Sequence, residues 1–216
     1  MQKPPKRRIL VGLWTFPLSG ITALVALLLR KFVNLPIGDI TEWANSVASR
    51  NYLTAQYLYI LAYVVPFFGF WALYMYLAQR QKERMAFWGL MGALLGTGLP
   101  LTTLGVLAYA SPVIGRLYLQ GETHLPQVIN EIAMGSSMVL GMPGAFLYVG
   151  GCISFGVAVW QSGTINKWSG VALALHGLFV ALGFGMPLLL VLSWVLLVVS
   201  GIMFVIGVQK DNMESK

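Results

Sequence analysis

Five uncharged, mostly apolar stretches divide the chain: Ile9–Leu29, Ala55–Ala78, Met85–Ala110, Ile132–Trp160 and Trp168–Gln209. A helix rises about 1.5 Å per residue and a bilayer core is about 30 Å thick, so one crossing takes about 20 apolar residues. Each of the first four stretches predicts one span. The fifth has 42 residues, enough for a helix of about 63 Å, twice the core. Its "GFGMP" at 183–187 supplies the glycine and proline of a tight turn and splits it in two. The expected fold is therefore all-α: a polytopic six-helix membrane bundle in a single membrane domain covering 1–216, with spans 9–30, 55–78, 85–110, 134–160, 167–183 and 187–209. The first run is longer than a signal-peptide core and no small-x-small site precedes Arg30, so it predicts a retained span.

Two segments between the runs are too long for turns. In 34–53, Asp39 and Glu42 have capping-box spacing, and Ile37, Ile40, Ala44 and Val47 recur at helical intervals with Trp43 beside them. The pattern predicts a short amphipathic helix lying on the outer interface. In 111–133, Ser111–Pro112 reads as a helix start, Gly121 as a stop, and Pro126 as the opening of another helix leading toward the fourth span. Inside the runs, Pro17, Pro66, Pro100 and Pro143 predict kinks or freed carbonyls. Gly92 and Gly96 have small-xxx-small spacing, which predicts close helix packing.

Composition agrees with this parse. With 57% hydrophobic and 10% charged residues, the chain has more apolar surface than a soluble domain of this size can bury. The formal charge of +7 would suit a nucleic-acid partner in a soluble protein; here the cations fall between apolar runs, where they set orientation, and nucleic acid is excluded as a partner. Lys3, Lys6, Arg7, Arg8, Arg80, Lys82, Arg84, Lys167, Lys210 and Lys216 fall on one side, against Arg30, Lys31, Arg50 and Arg116 on the other. Both termini are expected to be cytoplasmic. A lone Cys152 excludes an intrachain disulfide or thiolate cluster.

No Asp, Glu, Lys or Arg lies within the uncharged runs. A proton-coupled carrier would be expected to hold a membrane-embedded carboxylate, and a retinal protein needs a span lysine. Two histidines are too few for bis-imidazole haem, a di-iron centre or catalytic zinc. No residue of the sequence stands out as catalytic or as a metal ligand, and no cofactor is identified by it.

Three candidate sites remain. His176, mid-span, has the chemistry of an axial haem or chlorin ligand, a quinone donor or a pH sensor; alternatively it hydrogen-bonds a Ser, Thr or Tyr of a neighbouring span. Gln56, Tyr59, Tyr63, Phe67, Phe70 and Tyr74 fall on one ridge of the second span. Such a stripe suits either packing or a planar or isoprenoid ligand bound by Tyr59, Tyr63 and Phe67. On the outer face, Trp43, Arg116 and His124 are candidates for meeting a partner.

From Val157 to Gly183, "VAVWQSGTINKWSGVALALHGLFVALG" resembles a pattern in an uncharacterised-domain family of small bacterial six-span membrane proteins. There the fourth span ends in a short loop with a basic residue, Trp and Gly, before a glycine-rich fifth span. The resemblance implies a six-span protein of a bacterial cytoplasmic membrane and carries over no site residue. The expected function is non-catalytic, through helix packing: an accessory or assembly subunit among other membrane subunits, or a binder of a lipid-like ligand. A small permease is the alternative, and an enzyme on a lipid or isoprenoid the third.

Overall fold

The structure, a computed structural model, describes residues 6–30, 39–132, 135, 137–183 and 186–214. Among them every regular element is helical: α1 (Lys6–Leu13), α2 (Thr15–Leu29), α3 (Ile40–Val47), α4 (Arg50–Val64), α5 (Pro66–Ala78), α6 (Glu83–Leu119), α7 (Leu125–Glu131), α8 (Ser137–Ser162), α9 (Lys167–Leu182) and α10 (Pro187–Glu214). The expected stripe member Ile37, the basic residues Lys3, Lys31 and Lys216, and Phe184–Gly185 of the expected turn lie outside the described residues.

Six rods result: α1 with α2, α4 with α5, then α6, α8, α9 and α10. Five of them are long and apolar enough to cross a membrane, over Arg7–Leu29, Arg50–Ala78, Glu83–Leu119, Ser137–Ser162 and Pro187–Asp211. The remaining rod, α9, has 16 residues, a length of about 24 Å.

Each rod packs on its neighbours in sequence, and the last packs on the first, closing a ring. Close approaches fix the directions. Gly12 meets Ala72, Gly96 meets Tyr148, Gly156 meets Gly170, Gly183 meets Leu190, and Gly20 meets Val198, so neighbouring rods run antiparallel. The bundle is filled along its axis by Phe16, Phe70, Phe155, Phe204 and Trp194, none more than 1% exposed.

Proline explains the break in the second rod. Pro66 has no N–H for the Ala62 carbonyl. The hydroxyl of Ser19, reaching across from α2, donates to that carbonyl instead. Ser19→Ala should therefore cost about 1 kcal/mol in denaturant unfolding. In a Pro66→Ala background the helix's own amide can supply the bond, and the same substitution should become nearly silent; equal costs in both backgrounds would show that the bond does not compensate for the proline.

The outer segments depart from the expected boundaries. The second rod begins at Arg50, five residues before the apolar run, because the Ser49 hydroxyl caps it by accepting from the Tyr52 amide at 3.2 Å. The third rod continues past 110 to Leu119 with Pro112 inside it, so Ser111–Pro112 starts no helix. The extension is held by packing: Gly115 lies directly against Ala44 and Val47 of α3. Gly121, at φ +113°, ends α6 in a conformation that favours glycine, and Pro126 stands in the first turn of α7, both as the sequence predicts. Asp39 caps α3 through the amides of Thr41 and Glu42. Trp43, Ala44, Val47, Tyr52, Leu107 and Ile129 form a second, small core, while Ile40 of the expected stripe stays exposed.

Candidate functional site

The polar groups of the bundle meet an aromatic cluster built by four rods. Tyr59 and Tyr63 of α4 contact each other at 5.3 Å between centroids, and both lie edge-on to Trp194 of α10, at 5.9 and 5.3 Å. Trp194 in turn contacts the His176 ring of α9 at 5.4 Å, and His176 contacts Tyr148 of α8 at 5.8 Å. Tyr59 and Tyr63 are thus brought together as the stripe predicts. Phe67 is not: it is half-buried and makes no ring contact with them among the described residues. Buried positions continue at helical spacing beyond Pro66, with Gly69, Phe70, Leu73, Tyr76 and Leu77 among them, and Phe70 of the stripe stays in the core.

His176 is fully buried, and its two nitrogens have different partners. Nδ1 lies 2.8 Å from the Ser193 carbonyl of α10; a carbonyl only accepts, so Nδ1 carries the proton. In the neutral imidazole Nε2 then presents a lone pair, to which the Tyr148 hydroxyl donates at 2.8 Å. No lone pair is left over for an axial metal. The arrangement ties α8, α9 and α10 together, and a further bond, Ser200 Oγ to the Ser169 carbonyl at 2.9 Å, joins α10 to α9 lower down. Cys152 is buried against Gly177.

At the C-terminal end of the first rod stands a residue that, by its place in the sequence, looks like a loop charge. Arg30 is 3% exposed, and its guanidinium carbon sits 4.2 Å from the centre of the Tyr59 ring, a cation–π contact. Among the described residues its guanidinium makes no hydrogen bond or ion pair, and Nε is buried without a partner. The Trp194 indole N–H and the Gln56 Oε1 are also buried and unpartnered. The available signal is Arg30's place at the edge of a run whose next span carries a tyrosine stripe, though the contact itself depends on tertiary packing.

The outer-face candidates are separated. Trp43 is 2% exposed within the small outer core, whereas Arg116 and His124 are exposed. His124 Nδ1 lies 3.9 Å from a Glu122 carboxylate oxygen. At the opposite end Arg80 pairs with Asp211, the Tyr76 hydroxyl reaches Asp211 at 3.2 Å, and Lys167 sits 4.9 Å from the Trp160 ring centre. Among the described residues no group of three His, Cys, Asp or Glu is placed to hold a metal ion.

The chain matches no protein-family model, no curated protein and no solved structure.

Proposed function

We propose that this chain is a six-span, non-catalytic protein of a bacterial cytoplasmic membrane, with both termini inside, that works by binding a lipid-like ligand between its helices. The observation that carries the reading is the filled axis: Phe16, Phe70, Phe155, Phe204 and Trp194 occupy the position where a permease would need a path. The polar groups of His176 and Ser193 within it are engaged in hydrogen bonds between or within the helices. The same interior offers a ligand the aromatic rings of Tyr59 and Trp194 and, among the described residues, unpartnered polar atoms at Trp194 and Gln56.

Six crossings are supported by the alternating directions around the ring, which give α9 the same sense as α2 and α6. Its first turn brings Lys167, with Trp160 and Trp168 exposed beside it, to the end of the bundle where Arg80 and Asp211 meet. A cation with exposed tryptophans is the usual furniture of a membrane interface.

Two measurements test the proposal. Cysteine placed at Gln81 should be shielded from an impermeant thiol reagent in intact cells and cysteine at Ser46 labelled; equal labelling would overturn the six-span parse. The purified chain in proteoliposomes should conduct neither ions nor small solutes, and transport by the chain alone would overturn the binding role.

A further inference from the structure

Arg30 presents a buried charge without a counter-charge among the described residues. Arginine carries its positive charge as a planar guanidinium that only donates hydrogen bonds. The sequence has seven carboxylate side chains, and none comes within 4.0 Å of Arg30 among the described residues. Asp39 spends its carboxylate on the amides at the start of α3. Glu42, Glu122 and Glu131 are exposed, Asp211 is paired with Arg80, and Glu83 and Glu214 stand at the opposite end of their rods. The segment that follows Arg30, "KFVNLPIG" at 31–38, contains no acidic residue. A buried cation left unpaired is strongly unfavourable, and the Tyr59 ring offsets only part of that.

Two further atoms point to what is missing. Trp194 packs against the ring on which Arg30 lies and carries a buried, unused N–H. Gln56, one turn before Tyr59 on α4, carries a buried, unused oxygen. A guanidinium and an indole N–H donate, which suits an oxyanion; the amide oxygen of Gln56, one helical turn from the Tyr59 ring, accepts, which suits a hydroxyl on the same molecule. We propose that Arg30, with Trp194 and Gln56, forms a binding site for the phosphate group of a hydroxyl-bearing phosphate ester, at the outer end of the bundle between the first, second and last rods. This deepens the ligand-binding reading above and rests on it. The phosphate has two sources, the headgroup of an acidic phospholipid or a free phosphorylated solute.

The full chain, purified in a neutral detergent as wild type, Arg30→Gln and Arg30→Lys, would be unfolded thermally with phosphatidylglycerol, with diacylglycerol or with inorganic phosphate. Phosphatidylglycerol should raise the wild-type midpoint by about 3 °C or more, as a ligand of the folded state does; diacylglycerol should not, and Arg30→Gln should abolish the shift. A matching shift with inorganic phosphate identifies a soluble phosphate ester as the source, and its absence a membrane lipid. A wild type that responds to neither phosphate probe, or an Arg30→Gln variant that keeps the full shift, overturns the site. If Arg30→Gln does not fold, Arg30→Lys decides: lysine lacks the flat fork, so its shift should fall below half, and an undiminished shift overturns the proposal. Conduction in proteoliposomes would sink the binding role while leaving an Arg30-dependent shift in place, so the two failures are distinguishable.

Discussion

Replacing Gly96 with alanine should strongly destabilise the protein, while the same change two residues away, at Gly98, should be tolerated. A methyl group on Gly96 would lie 2.2 Å from the Tyr148 amide nitrogen, 2.5 Å from its Cα and 2.8 Å from the Gly144 carbonyl oxygen. All three are backbone atoms, so no rotamer change makes room and α6 and α8 must separate. Overpacking of a filled core costs about 1–3 kcal/mol and occasionally more; a backbone collision belongs at the upper end, at about 3 kcal/mol. A methyl on Gly98 meets nothing within 4 Å, so Gly98→Ala should gain up to about 1 kcal/mol from helix propensity. Denaturant titration of the two variants in one detergent checks both signs. A Gly96→Ala protein as stable as wild type would mean that α6 and α8 do not meet as closely as described.

His176→Leu should be the second large loss, about 1–3 kcal/mol, because it strands the buried Tyr148 hydroxyl at nearly unchanged side-chain volume. His176→Gln keeps a donor and an acceptor and should lose only about 0.6 kcal/mol. Adding Tyr148→Phe to His176→Leu removes the stranded group, so the double variant should recover most of the loss. That recovery is the signature of a paired structural bond. A His176→Gln protein of normal stability that lost a bound pigment or haem would instead make His176 a ligand.

The lengths of the apolar runs were legible in the sequence because lipid imposes a length; their ends were not, because ends depend on local caps and on packing. The Ser49 cap moves the second rod's start out to Arg50, and contact with α3 carries the third past Pro112. The Tyr59–Tyr63 pairing follows from helical spacing on one unbroken segment. Phe67 shares the spacing but is only half-buried, because how far the neighbouring rods cover the flank of a stripe depends on tertiary packing. Arg30 is hidden for a different reason: a residue one step beyond an apolar run looks like a loop cation until the second and last rods, distant in sequence, bring Tyr59, backed by Trp194, against it.

The contact between the first and last rods also orders the protein's synthesis. Gly20 receives Val198, and Gly201 receives Phe16 and Pro17. These surfaces wait, unmatched, from the emergence of the first helix until α10, the last of the ring, is made. Until then five helices have neighbours on an open arc, and the first keeps a bare glycine notch toward lipid. A stalled or truncated chain would display that notch, and the cell's membrane quality control would have a defined surface by which to tell an unfinished bundle from a closed one.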